Sequence, residues 1–349
     1  MKVLVTGCQG YIGTILVPML QKEGFEVTGL DSDLYRHCTF SGSLPELPLI
    51  RKDVRDVEAE ELQGLDAIIH LAGLSNDPLG DYRPELTEEI NEKASIRLAR
   101  MAKAAGIKRF LFASSCSNYG AAGADFLTEE ASFNPVTPYG ISKVNVEAAL
   151  SQMADHDFSP TYLRASTAYG VSPRLRFDLV ANNLTAWAFT TGLVYLKSDG
   201  TPWRPIVHVE DISRAYLSVL RAPRELVHKQ GFNVGTTTEN YQIHEIADIV
   251  KEVVPGCKIE FAKDAGPDRR CYRVDCNKLA RLIRDFKPQW TARRGIEQLY
   301  GEYKKVGLTL EEFEGPKFMR IAHIKSLIKD GALDENLRWR DKRPEARAA

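Results

Sequence analysis

Tyr139 and Lys143 stand four residues apart in the run Tyr-Gly-Ile-Ser-Lys. On a helix this spacing puts a phenol and an ammonium on one face, one turn from each other. The ammonium stabilises the phenolate, so the tyrosine's pKa falls from about 10 toward working pH. Such a tyrosine takes a proton from an alcohol while hydride leaves the same carbon. A bare Tyr-x-x-x-Lys is common as a surface pair, and its weight here comes from two other segments. The apolar run 108–113 flows into Ser114 and Ser115, whose hydroxyls are candidates to orient the alcohol. The chain also opens with the strand-like Met1-Lys-Val-Leu-Val-Thr, followed by Gly7, Gly10 and Gly13, with Tyr11 and Ile12 between the last two. A strand, a tight glycine turn and a helix start bring backbone N–H groups and a favourable dipole to a diphosphate.

The spacing is Gly-x-x-Gly-x-x-Gly, not Gly-x-Gly-x-x-Gly, and a glycine turn alone is weak evidence. A second strand, 26–30, ends at Asp31. An acid about 20 residues past the glycines is placed to bind the adenosine ribose hydroxyls and to repel a 2′-phosphate. This predicts NAD rather than NADP.

These residues need a scaffold. Apolar runs at 66–73, 108–113 and 161–164 alternate with helical patterns at 14–22, 85–106 and 139–153. Alternation of this kind predicts an α/β fold with a doubly wound parallel sheet, a Rossmann arrangement, and ligands at the carboxyl ends of its strands. After about residue 170 prolines punctuate shorter elements, and 206–209 and 232–235 read as strands returning to a sheet. The expected division is a coenzyme domain at 1–170 with a return segment at about 206–235. A smaller, discontinuous α/β substrate domain takes 171–205 and 236–337, and a disordered tail is expected at 338–349.

Composition excludes several classes. With 349 residues, 44% hydrophobic and 27% charged, the chain suits an ordinary globular enzyme. A net charge of −1 gives no field for nucleic acid or anionic membrane. No apolar run is long enough to span a bilayer, and with strand-forming residues at the start no signal peptide is expected. The six cysteines form no Cys-x-x-Cys pair and the seven histidines do not cluster, so no metal is expected. Unpaired thiols suit a cytoplasmic protein.

Taken together, these motifs resemble the extended short-chain dehydrogenase/reductase family, in its nucleotide-sugar epimerase/dehydratase branch. The resemblance runs from residue 1 to about 280. Besides the glycines, Asp31 and Tyr139/Lys143, it rests on Asp53-Val54, His70-Leu-Ala-Gly73, Asn91, Ser115 with Tyr119-Gly120, Arg164 with Tyr169-Gly170, and Asp199 to Arg204 ahead of Val209-Glu-Asp211. It implies that Asp53 and Val54 meet adenine, and that Leu71, Ala72 and Gly73 form the turn beside the coenzyme. Ser115 becomes the triad hydroxyl, Tyr139 the base, and Lys143 the ribose contact. Asn182, Asn183 and Arg204 become contacts to the nucleotide diphosphate. Asn91 is expected to be structural. The long helices 85–106 and 139–153 imply a homodimer joined by a four-helix bundle.

Several positions depart from the pattern. The Asp-Glu pair by which sugar dehydratases expel water is replaced by Cys116 and Ser117. Cys116 reads either as a base for C3/C5 epimerisation or as a buried thiol. Thr167 replaces a frequent asparagine at the sugar site, and Arg269 or Arg270 is expected to substitute for a missing arginine. His208 and Trp187 are expected to be packed, and Trp203 either packs or stacks on a base. His70 is expected to bond backbone. Arg174 and Arg176 read equally as phosphate or sugar-acid contacts and as exposed loop charges. The expected function is transient NAD-dependent oxidation of a nucleotide sugar at C4, with C4 epimerisation leading. The alternatives are C3/C5 epimerisation, uronic-acid decarboxylation, 4-ketone reduction and, from another class, a non-catalytic NAD-binding regulator. Both Tyr139 and Lys143 are present, which disfavours the last.

Overall fold

Seven parallel strands form the central sheet in the order 230–234, 159–165, 109–115, 67–70, 2–6, 26–30 and 49–50. The computed structural model describes residues 1–75, 77–120, 125–266 and 271–340. Strand Ala67–His70 is buried along its whole length, as expected of a parallel sheet covered on both faces. Alternate side chains of strand Lys2–Thr6 feed different cores. Val3 and Val5 pack with Leu16, Val17 and Leu20 of helix Gly13–Lys22, whereas Leu4 packs with Ile68, Leu98 and Phe110 on the other face. Each fully buried Leu or Phe contributes roughly 1.5–3 kcal/mol of apolar transfer.

Strand Lys2–Thr6 lies between Glu26–Leu30 and Ala67–His70. The chain winds outward in opposite directions on its two sides, so the crevice above its carboxyl end is the expected ligand site. The register sets Thr6 beside His70, and the residues after each of these two enter the crevice.

Helix Pro138–Met153 begins where its sequence dictates. Proline occupies the first turn, where no N–H is needed, and Thr137 Oγ1 accepts from Gly140 N at 3.2 Å. The expected helix 85–106 is composite: Pro84–Thr87, a π segment at Glu88–Lys93, then Ala94–Ala104. The π segment is a short i→i+5 interruption between two helical stretches, and the apolar spacing of its flanks reads as one continuous helix.

The two segments expected to return to a sheet go to different ones. Gln230–Val234 pairs with Ser159–Ala165 at the edge of the main sheet. Trp203–His208 joins a three-stranded sheet with Thr167–Tyr169 and Asn240–Gln242. Leu193–Ser198 pairs with Lys258–Gly266, and Phe126–Leu127 with Arg273–Val274. The C-terminal residues cross back to the coenzyme side. Arg338 pairs with Asp56, and Trp339 Nε1 donates to Ser32 O at 2.8 Å. The expected disorder from residue 338 therefore does not hold for 338–340, and the remainder of that tail lies outside the described residues.

Candidate active site

A cavity of about 380 Å³ opens over the carboxyl ends of the central strands. Its floor is the glycine turn. Gly7 has φ +71°, and a Cβ there would lie 2.8 Å from Ala72 N. A Cβ on Gly13 would lie 2.5 Å from the carbonyl oxygens of Gly7 and Cys8. Side chains at either position would break the turn, so the glycines leave a bare backbone cradle at the start of helix Gly13–Lys22. Gly10, Tyr11 and Ile12 complete that floor.

Asp31 stands at one end. Its Oδ2 accepts from Gln9 N at 2.9 Å and its Oδ1 from Asp33 N at 2.7 Å. Burial pushes its pKa up, against these two bonds. Each carboxylate oxygen retains a second lone pair for a ligand hydroxyl. Asp53 and Val54 also line the cavity, but the Asp53 carboxylate is already gripped by the Arg55 fork at 3.0 and 2.9 Å. Leu71, Ala72 and Gly73 form the neighbouring wall. Asn91 fixes it, accepting from Leu74 N at 2.7 Å and donating to Leu74 O at 2.9 Å. The structural reading of Asn91 thus has a geometric basis.

Ser115, Tyr139 and Lys143 face the same cavity. Lys143 is 4% exposed, with Nζ 5.4 Å from the Tyr139 ring centroid and 4.7 Å from that of Phe112. Burial pulls its pKa down to about 8, and Glu147 opposes that. Ser114 Oγ donates to Glu147 Oε1 at 2.5 Å, and Arg164 grips the same carboxylate with Nη2 at 2.7 Å. Ser114 is thereby committed to a buried network, while Ser115 accepts from Ser117 N at 3.1 Å and remains at the cavity.

The other expected site residues divide between the cavity wall and the packed interior. Cys116 is fully buried and outside the cavity lining; its thiol donates to Arg164 O at 3.2 Å, and burial raises its pKa to about 12. That environment suits a packed thiol, not a base. Asn182 is fully buried, accepting from Gly170 N at 2.9 Å and donating to Arg176 O at 2.9 Å. Asn183 donates to Phe177 O at 2.8 Å. Both amides hold their own connection together. Arg204 is buried, donates to Trp203 O at 2.9 Å, and lies over the ring of Tyr272, itself a lining residue. Thr167 lines the cavity. Arg269 and Arg270 lie outside the described residues.

Two histidines behave as packed groups. His208 stacks on Trp290 at 3.9 Å and bonds Gln298 at 2.9 Å. His70 bonds side chains rather than backbone: Thr6 Oγ1 and Ser95 Oγ, both at 2.7 Å. Trp187 packs edge-on against Phe313 in the core, and Trp203 lies beneath the Arg273 guanidinium at 4.3 Å. Arg174 and Arg176 are not exposed loop charges, since both are at least nine-tenths buried.

A cradle that any Cβ would fill, a carboxylate at its far end, and a Tyr–Lys–Ser set at its mouth fit an NAD molecule. The model of the NAD dependent epimerase/dehydratase family matches residues 3–235. The chain belongs to that family. Human UDP-glucose 4-epimerase is 29% identical over 345 residues, covering 85% of this chain and 94% of the relative. The rice protein UDP-glucose 4-epimerase 4 is 30% identical over 328 residues, covering 85% and 87%. Among solved structures, MoeE5 in complex with UDP-glucuronic acid and NAD superposes with a TM-score of 0.76 at 26% identity, covering 87% of this chain and 99% of that one. The protein is thus an NAD-dependent enzyme of the extended short-chain dehydrogenase/reductase type.

The far wall of the cavity is built from Tyr35, Arg176, Asp178, Arg320 and Leu337. Of these, only Arg176 drew notice in the sequence, through its place after Gly170. Arg320 and Leu337 sit more than 280 residues from the glycine turn, and no local pattern marks them.

Proposed function

We propose that this enzyme epimerises a UDP-activated hexose at C4. One observation carries the choice among the chemistries of the family. The cavity has its proton-transfer set at Ser115, Tyr139 and Lys143, yet no carboxylate lines it from the Ser115 strand end or the Tyr139 helix among the described residues. The lining carboxylates are on the coenzyme side and engaged: Asp31 by two backbone N–H groups, Asp33 by Arg174, Asp53 by Arg55, Asp178 by Arg176. Among the described residues no lining carboxylate is left free to expel water, which disfavours dehydration. The buried Cys116 disfavours C3/C5 proton abstraction. The two relatives named UDP-glucose 4-epimerases support the same choice.

In this reading the Tyr139 oxygen takes the proton of the sugar's 4-hydroxyl and later returns it. Lys143 holds positive charge beside that oxygen and stabilises its ionised form. Ser115 orients the hydroxyl. Bound NAD supplies the acceptor and donor of hydride at the same carbon. Epimerisation then requires only that the ketosugar turn over in the cavity. Thr167 is the proposed sugar contact and Arg204 the proposed contact to the nucleotide diphosphate. Residues 171–205 and 236–337 are the proposed substrate portion, except that Arg320 and Leu337 serve the coenzyme side. We further propose a homodimer built on helices Ala94–Ala104 and Pro138–Met153. The six free thiols suit a reducing cytoplasm.

The test is incubation with UDP-, GDP-, CDP- and dTDP-hexoses and the corresponding hexuronic acids in deuterated buffer, read by NMR. Inversion at C4 without deuterium at C3 or C5 is the expected product. Solvent deuterium at those carbons, loss of water or loss of carbon dioxide would each overturn the C4 reading. Tyr139→Phe should bind NAD as wild type does and lose turnover by about 10²–10⁴-fold. Near-normal turnover would remove Tyr139 as the base.

A further inference from the structure

Three arginines converge behind the glycine turn, and only two have carboxylates. Arg174 pairs with Asp33 at 3.5 Å, and Arg176 with Asp178 at 2.8 Å. Arg320 makes no direct ion pair among the described residues; the Asp178 carboxylate, already gripped by Arg176, acts on it only from a distance. Arg320 is 3% exposed and lines the coenzyme cavity. Its guanidinium lies 3.7 Å from the Tyr35 ring centroid, and Nη2 donates to Arg174 O at 3.1 Å. Its Nη1 is buried with no hydrogen-bond partner. A buried cation with a spare N–H costs stability unless something anionic completes it. Burial accordingly pulls the Arg320 pKa below its usual value.

The position of Arg320 identifies the anion's place. Arg174, which accepts from Arg320, donates Nε to Gln9 O in the glycine turn at 3.2 Å. Arg176 is held by Asp178 and by Ser75 Oγ at 3.1 Å, on the same wall as Arg320. The cavity thus has backbone N–H groups and a helix N-terminus on one side and two guanidinium groups on another.

Arg320 comes from the start of helix Arg320–Lys329, and the residues after that helix close over the adenosine end. Arg55 Nη2 donates to Asn336 O at 2.8 Å, and Arg338 pairs with Asp56. Between them, Leu337 lines the cavity with φ +60°. That conformation is rare for a bulky side chain and persists where surrounding contacts impose it.

We infer that Arg320, carried by the C-terminal segment, is a binding residue for the diphosphate of the coenzyme, and that this segment closes the coenzyme in. A nucleoside diphosphate could arrive from the coenzyme or from the sugar nucleotide; the link to the glycine turn assigns Arg320 to the coenzyme. The inference rests on NAD dependence and not on the carbon epimerised, so either can fail without the other.

The experiment compares full-length wild type, Arg320→Met and Arg320→Lys, stripped of nucleotide, by calorimetric titration with ADP, adenosine and UDP. Bound NAD after purification is measured by chromatography of the denatured protein. Arg320→Met should weaken ADP about 10- to 100-fold, the scale of a lost charge-assisted bond. Adenosine and UDP should be unchanged, and co-purified NAD should fall. Arg320→Lys keeps the charge without the fork and should lie between. Unchanged ADP affinity in both variants would overturn the inference, as would a loss confined to UDP. Should Arg320→Met fail to fold, the lysine variant decides alone: wild-type ADP affinity and NAD content in it would overturn the assignment.

Discussion

Burial holds the Lys143 ammonium down to about 8, with Glu147 the opposing influence. The charge that stabilises the Tyr139 phenolate is therefore kept at a cost to the fold. The native state binds this proton less tightly than the unfolded chain, whose lysine titrates near 10.5. The penalty is full below pH 8 and is relieved as pH rises from 8 to 10.5. By linkage its upper figure is about 3 kcal/mol. Lys143→Met, stripped of nucleotide, should therefore melt a few degrees higher than wild type at pH 7, with the gap closing toward pH 10.5. Its turnover should fall by about 10²–10⁴-fold. A variant that is both less stable at pH 7 and fully active would refute the assigned role. Cys116 illustrates the opposite outcome at this scale. It follows Ser115 directly, yet one residue at the end of a strand changes cavity for core, and a sequence does not reveal which side receives the thiol.

His70 ties three elements together: strand Lys2–Thr6 through Thr6, its own strand, and helix Ala94–Ala104 through Ser95. Burial drives its pKa down to about 3. A depressed histidine contributes stability that is present above pH 6.5 and is lost progressively as pH falls toward 3. The linkage ceiling is about 5 kcal/mol. Thermal melts between pH 6.5 and 4 should show this slope in wild type and a flatter one in His70→Gln; equal slopes would show that His70 does not titrate with folding. The strands and the glycine turn were legible because continuous apolar runs and glycines that no Cβ could replace are local signals. Tyr139, Lys143, Ser115 and Leu71 to Gly73 were legible because each sits in a contiguous motif. The Asn182 amide accepts from Gly170 N and donates to Arg176 O, both near it in sequence, and spacing alone does not tell such a structural pair of bonds from a free ligand group. The π turn and the separate small sheet of Trp203–His208 depend on tertiary pairing that periodicity does not encode.

At the scale of the whole molecule, the C-terminal segment was the least legible part. Its helix pattern is ordinary, its charged end suggested disorder, and its partners lie far earlier in the chain, Asp56 by 282 residues and Ser32 by 307. The remaining question of assembly turns on helix Pro138–Met153. Its inner face buries Ser142, Lys143, Val146, Glu147 and Leu150. Its other side presents Ile141 at 45% exposure, with Val136 at 53% just before the helix and the small side chain of Ala148 also exposed. A large apolar residue with an exposed alanine two turns further along suits close helix packing and leaves little charge to oppose it. Asn145 Nδ2 already bridges to Glu92 Oε2 at 2.8 Å, which binds this helix to the composite one next to it. Two such pairs, one from each copy, would complete a four-helix bundle. At micromolar concentration, light scattering should give the mass of two chains. Ala148→Arg, placing a charge on the outward face without touching the cavity, should give the mass of one chain with an unchanged circular dichroism spectrum. A wild-type mass of one chain would refute the dimer, and a double mass in the arginine variant would move the interface to another face.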